Sequence, residues 1–322
     1  MPKVWVFAEH RRGRPDTTAF ELLTKARQLG QAEAVVVGAG APEAAGPLAR
    51  YGADTVYVDD NPVYDEWVGD PAAETLRRLL TEHRPDAILF ATLPDSREIA
   101  GRLATRLGLT LISNAVDIRS VGAVRTTMFG GSLYVDCRID DRPALILVRP
   151  HSFPAEPAPG QGRVVPVRVE LPDGLRLVRR VEACEDAARG PDLAGAAVVV
   201  AGGRGLGSRE NFELLYELAA LLGNAAVGAT RAVVEAGWAP PAAQVGLTGT
   251  TVRPRVYLAF GISGASQHVA GMRQSQTIIA VNTDPKAPIF KIADLGILGD
   301  ARKVLPQLIE ALRARHPGRR EG

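Results

Sequence analysis

The segment "AAVVVAGGRGLGSRENFELLYELAALL" (196 to 222) constrains this chain more than any other. An apolar run enters a glycine turn, and a helix follows over Ser208 to Leu222 with Phe212, Leu215, Leu218, Ala219 and Leu222 on one side. A short apolar run, a turn and then a 3.6-residue period make the strand-turn-helix unit of a parallel α/β sheet. The first N–H groups of such a helix have no partner inside it, so the turn is a natural place for phosphate.

The turn fails as a dinucleotide fingerprint. GxGxxG counted from Gly203 gives Gly203, Gly205 and then Ser208 in the third place. The acidic residue that should hold the ribose hydroxyls about 20 positions on is also missing. The second strand ends "VGATR", with Thr230 and Arg231 in its place. An arginine there suits the 2′-phosphate of NADP or a flavin pyrophosphate. The competing reading is purely structural: Ser208 caps the helix and the glycines make a tight turn.

The same alternation organises the rest of the chain. Strands are expected at "KVWVFA" (3 to 8), "EAVVVG" (33 to 38), "DTVYV" (54 to 58) and "DAILFA" (86 to 91). A helix lies between the first two, with Thr18 and Glu21 as a capping box and Gly30 at its C-terminal end. From 114 to 148 the turn signals "FGG" and "DDRP" separate "SLYVDC" (132 to 137) and "ALILV" (144 to 148), read as antiparallel strands added to the sheet. "PHSFPAEPAPGQG" (150 to 162) reads as an extended connection, "LRLVRRVE" (175 to 182) as a strand, and "DAARGPDLAG" (186 to 195) as the linker. Strands are then expected at 224 to 229, 255 to 261 and 277 to 282, with a terminal helix near Ala301 to Ala314. The expected architecture is α/β in two domains. Residues 1–190 form a mostly parallel sheet with added antiparallel strands, and residues 191–322 form a doubly wound domain.

Composition excludes several classes. The 38 basic and 36 acidic residues are mixed along the chain for a net charge of +2, which gives no electrostatic case for nucleic acid or acidic membranes. The run "EHRRGR" reads as a solvated loop without a role. Cys137 and Cys184 stand far apart without metal spacing and read as packing residues in a reducing compartment. There is no 18-residue apolar run and no signal-type start, so a cytoplasmic location without membrane insertion is expected. No GxSxG elbow, HExxH pattern or GxxxxGK[ST] loop supports a hydrolase, metalloenzyme or ATPase.

"QVGLTGT" (244 to 250), "GISGASQH" (261 to 268) and "AVNTDPKAPIF" (280 to 290) place small and polar residues beside strand ends, where an open α/β sheet forms its ligand crevice. In the second, Ser263 is expected to cap a short helix, and Gly264 and Ala265 to let a ligand approach the backbone. His268 falls in the first turns of that helix, facing the crevice.

Taken together, "GGRGLGSRENFELLYELA", "AAVGATRAVVEAGW", "QVGLTG", "VYLAFGISGASQHVAGM" and "AVNTDPKAPIFKIADLGILGD" resemble, in order, the alpha subunit of electron transfer flavoprotein. A weaker likeness runs through "VWVFAEHRRG" and "FGGSLYVDCRI". The resemblance implies FAD bound mainly by the C-terminal domain, and a heterodimer with a beta subunit that the N-terminal domain contacts. It implies an electron carrier rather than an enzyme, passing electrons from flavin dehydrogenases, such as the acyl-CoA dehydrogenases of fatty acid beta-oxidation, to a quinone reductase or other acceptor. Membership of an electron-bifurcating complex, with a second FAD in place of AMP in the beta subunit, and an NADP-dependent oxidoreductase using Arg231 are the alternatives.

Carried over by position, the resemblance assigns cofactor contacts to Arg204, Thr230, Arg231, Val245, Gly246, Leu247, Thr248, Ser263, Gly264, Ala265, Ser266, Gln267, His268, Asn282, Asp300 and Ala301. Thr248 is the expected partner of flavin N5. Arg231 and His268 are expected to stabilise negative charge on the reduced ring, His268 near N1 and the C2 carbonyl. Leu247 departs from the family, which commonly has glutamine there, and so removes a side-chain amide.

Overall fold

The computed structural model describes residues 1–131, 133–158, 162–182, 192–223 and 225–315. The chain divides into two compact units, Met1–Ala183 and Cys184–Gly322. Cys184 and most of the expected 186–195 linker lie outside the described residues.

Unit 1 begins β1 (Lys3–Phe7), β2 (His10–Arg11), β3 (Arg14–Pro15), α1 (Thr17–Leu29), β4 (Gln31–Val37), α2 (Ala41–Arg50), β5 (Thr55–Asp59) and α3 (Val63–Glu66). It continues α4 (Asp70–His83), β6 (Ala87–Ala91), α5 (Pro94–Leu107), β7 (Leu111–Ser120), β8 (Ala123–Met128), β9 (Leu133–Arg138), β10 (Ala144–Val148) and β11 (Arg163–Pro166). Apart from the small β2-β3 hairpin, which "EHRRGR" forms, the strands make one sheet in the order β11-β5-β4-β1-β6-β10-β7-β8-β9. Period-two alternation along β1 divides the core. Val4 and Val6 pack with Leu22, Leu23 and Leu48 on one face, while Trp5 and Phe7 pack with Leu76 and Leu103 on the other.

Three expectations for this unit are corrected. "ALILV" is a central parallel strand, β10, between β6 and β7, and all five of its residues are buried; within the nine-stranded sheet the antiparallel pairs are β7-β8 and β8-β9. A run buried on both faces is what a central parallel strand requires, so its unbroken apolarity outweighed the flanking turn signals. Helix α1 is capped by Asp16, whose carboxylate accepts from the Thr18 N–H at 2.9 Å and its hydroxyl at 2.6 Å. Glu21 does not reach back to a capping box; it accepts from the His151 N–H at 2.8 Å. Residues 175 to 182 form no strand, only an isolated bridge between Arg179 and Trp67, with Leu177 and Val181 exposed. Beyond the 150 to 162 connection, a strand that was not among those expected, β11, pairs parallel with β5.

Unit 2 contains β12 (Val198–Gly202), α6 (Arg209–Leu222), β13 (Ala225–Ala229), α7 (Arg231–Glu235), β14 (Val256–Phe260), α8 (Ser266–Met272), β15 (Thr277–Asn282), β16 (Leu295–Leu298) and α9 (Ala301–Arg315). Its all-parallel sheet runs β13-β12-β14-β15-β16. From β12 the chain steps outward to β13 and then returns to β14 on the other side. The reversal opens a crevice beyond the carboxyl ends of β12 and β14, the position at which doubly wound sheets take ligands. Phe212, Leu215 and Leu218 of α6 are buried with Leu305 and Ile309 of α9 on one face. Tyr257, Met272 and Ile289 cover the other with Val199 and Ala201. Each large apolar side chain buried there contributes about 1.5–3 kcal/mol.

Candidate functional site

Both structural roles proposed for the turn after β12 hold. Ser208 is the N-cap of α6, accepting from the Asn211 N–H at 3.4 Å, and Asn211 in turn donates to the Leu206 carbonyl at 2.7 Å. The glycines make room for protein. A Cβ at Gly203 would lie 2.3 Å from the Gly261 carbonyl oxygen, and one at Gly205 would lie 2.7 Å from the Gly261 Cα. Gly205 N–H also donates to the Gly261 carbonyl at 3.1 Å. The turns after β12 and β14 are thus packed backbone to backbone across the switch point. Gly264, expected to admit a ligand, is buried against Ile289, whose backbone nitrogen would be 2.3 Å from an added Cβ.

The loop after β13 joins this pair. Val245 N–H donates to the Ala229 carbonyl at 2.9 Å, and Leu247 N–H donates to the Gln267 carbonyl at 2.8 Å. Gly271 fits under the loop because a Cβ there would come within 2.5 Å of the Gly246 nitrogen. A cavity of about 470 Å³ results, in the range of small-molecule sites.

Of the expected site residues, Arg204, Thr230, Arg231, Val245, Gly246, Leu247, Thr248, Ser263, Ala265, Gln267, His268 and Asn282 line this cavity. Gly264, Ser266, Asp300 and Ala301 do not. Ala265 rather than Ser263 is the N-cap of α8. Asp300 is taken up at the start of α9, where its carboxylate accepts from the Arg302 N–H at 2.9 Å and the guanidinium Nη2 at 2.7 Å. Those hydrogen bonds hold it at about pKa 2. Ala301 is buried in α9. Asn282 braces the β14 turn, donating to the Ile262 carbonyl at 2.8 Å and accepting from the Asp284 N–H at 2.9 Å.

The sequence leaves the charge of His268 open, and its surroundings bear on it directly. It is buried, and both ring nitrogens are engaged: Nδ1 lies 3.0 Å from the Val245 carbonyl and Nε2 lies 2.9 Å from the Tyr257 hydroxyl. A carbonyl only accepts, so Nδ1 carries the hydrogen, Nε2 is the acceptor and Tyr257 donates. Burial pulls the imidazole pKa down to about 4, against a smaller opposing effect of the Val245 bond. Near neutral pH His268 is a neutral ring of fixed tautomer. Its part at the cavity is then that of a neutral hydrogen-bonded ring.

The positive charge on the cavity comes from Arg204 and Arg231, both exposed. Arg231 Nε donates to Glu235 at 2.7 Å, one helical turn on, and Glu235 also lines the cavity. Leu247 is 64% exposed at the rim and offers no polar group. Gln244 Nε2 donates to the Thr248 hydroxyl at 2.9 Å, so an amide does reach this loop, from three residues before Leu247. Gln244, Glu235 and Ile262 were not singled out as site residues. The i to i+4 spacing of Arg231 with Glu235 was the readable sign of one of them.

Two guanidiniums, a set of hydroxyl and amide groups and an apolar floor of Val245 and Ile262, set at a switch point, define a cofactor-binding α/β protein of the doubly wound class. The model for the electron transfer flavoprotein domain matches residues 4–173, and that for the electron transfer flavoprotein FAD-binding domain matches residues 192–273. The electron transfer flavoprotein subunit alpha of Mycobacterium tuberculosis is 46% identical over 98% of this chain and 99% of its own length. That of Mycobacterium leprae is 42% identical over 98% and 99%. A protein FixB of Clostridium saccharobutylicum is 40% identical over 95% of both chains.

The chain belongs to the electron transfer flavoprotein alpha-subunit family, and its second unit contains the match to the FAD-binding domain. An alpha subunit of this family implies a beta-subunit partner. No described helix is long and apolar enough to cross a membrane.

Proposed function

We propose that the cavity between the β12, β13 and β14 turns holds the FAD, and that the chain, paired through unit 1 with its beta subunit, carries electrons from flavin dehydrogenases to a quinone reductase or other acceptor. The observation that carries this reading is convergence: three loops fixed to one another bring Arg204, Arg231, Thr248 and His268 to one cavity at the switch point. FAD supplies the one-electron chemistry. The protein's own residues bind and orient it. Arg204 and Arg231 suit the pyrophosphate or an anionic ring, Thr230, Thr248 and Ser263 offer hydroxyls, and Val245 and Ile262 take an apolar face. His268 contributes shape and a fixed dipole in its neutral form. On this reading the chain is an electron carrier rather than an enzyme.

Purification of the co-expressed heterodimer, with its visible spectrum and flavin content, tests this. One FAD per heterodimer with AMP is expected; two FAD would mark a bifurcating complex. A colourless complex that retains NADPH would overturn the reading.

A further inference from the structure

We infer that Gln244 is a positioning residue: by donating to the Thr248 hydroxyl it keeps the hydrogen of that hydroxyl available to a ring-nitrogen acceptor in the cavity. The inference rests on the reading that Thr248 meets flavin N5.

A threonine hydroxyl has one hydrogen and two lone pairs. With Gln244 Nε2 donating from 2.9 Å, one lone pair is occupied and the hydrogen must point elsewhere. Thr248 is exposed on the cavity wall, so that hydrogen is free to meet an acceptor in the cavity. The oxidised ring has a bare N5 that accepts a hydrogen bond, so the arrangement serves it. A side chain at 244 that could only accept would draw the hydroxyl hydrogen to itself and leave N5 facing lone pairs.

The bond is built in. Gln244 backbone N–H donates to the Pro241 carbonyl at 3.0 Å, and the Gln244 carbonyl accepts from Thr250 at 2.7 Å. The loop closes on itself so tightly that a Cβ at Gly249 would be 2.2 Å from the Gln244 carbonyl oxygen. Its outer side is fixed to β13 through Val245 and to α8 through Leu247. Residues 244 and 248 are therefore held in register by backbone bonds on both sides, which keeps their side chains within reach of one another.

The test uses the full-length heterodimer with its flavin removed, titrated with FAD and with 5-deaza-FAD, which carries a C–H where FAD has N5. The readout is the ratio of the two dissociation constants, in which general losses of folding or affinity cancel. Wild type is expected to prefer FAD about tenfold, the value of one well-made hydrogen bond. Gln244→Glu, equal in size but acceptor-only, should abolish the preference although Thr248 is intact, and Thr248→Val should abolish it as well. If Thr248→Val loses the preference while Gln244→Glu keeps it, the positioning role is wrong and the reading of Thr248 stands. If Thr248→Val keeps the preference, the reading of Thr248 fails and takes the inference with it.

Discussion

The Tyr257 hydroxyl donates to His268 Nε2 from 2.9 Å, both residues being buried beneath the cavity wall. The pair fixes the imidazole from the side opposite the Val245 carbonyl. Tyr257→Phe leaves a buried acceptor unsatisfied and should cost about 1–3 kcal/mol in chemical denaturation. It should also broaden or shift the imidazole nitrogen resonances of the flavin-free protein, because the Nε2 lone pair loses its donor. Unchanged resonances would show that the tyrosine does not set the tautomer.

His268 also makes stability depend on pH. Its folded pKa, pulled to about 4 by burial, lies below the ordinary 6.5, so between those values the unfolded chain binds a proton that the folded chain refuses. Stability from this group is fully present above pH 6.5 and is lost as pH falls toward 4, by on the order of 3 kcal/mol. Carboxylates titrate in the same window, so the measurement is a difference: the advantage of wild type over His268→Gln should shrink as the pH is lowered. A difference constant from pH 7 to pH 4 would contradict a neutral buried ring.

Two glycine substitutions should act in opposite directions. Gly203→Ala drives a methyl into the Gly261 carbonyl at 2.3 Å, and a clash of backbone with Cβ should destabilise by about 1–3 kcal/mol and weaken FAD binding. Gly101→Ala, within α5 and with nothing near the added methyl, should stabilise by about 0.5–1 kcal/mol. Urea denaturation midpoints measure both. A tolerated Gly203→Ala would mean that the two turns are not in fixed contact.

Arg231 and Glu235 should tune bound flavin in opposite senses. Both side chains are more than half exposed, so the water-like end of Coulomb's law applies, about 1 kcal/mol at 4 Å or roughly 40 mV for one electron. Arg231→Ala should lower the first one-electron potential by an amount of that order, and Glu235→Gln should raise it. A spectroelectrochemical titration showing no change for Arg231→Ala would remove the arginine from the ring's surroundings.

Much of the site was legible because it follows from strand ends. β12, β13, β14 and β15 announce themselves as apolar runs, and whatever follows them falls at the crevice, which is why Arg204, Thr230, Ser263 and Asn282 could be placed together. Less legible were facts that depend on which loop packs on which. Gly203 and Gly264 look alike in sequence as ligand-facing glycines, yet each is required by another backbone, Gly261 in one case and Ile289 in the other. His268 falls on the cavity, but its charge state was not legible, because its partners Val245 and Tyr257 lie 23 and 11 residues away and come together only through the sheet. β10 was misassigned for the same kind of reason: its neighbours in sequence signal turns, and its neighbours in space are β6 and β7.

The backbone contact between Gly203, Gly205 and Gly261 limits how this scaffold could be re-engineered. A nicotinamide-type fingerprint grafted after β12 would restore a third glycine at 208, yet the new turn would still meet the wall formed by the turn after β14. Both turns would have to be exchanged as a single part. Variation in one is therefore expected to be matched by variation in the other, and cofactor choice in this domain is inherited by the pair.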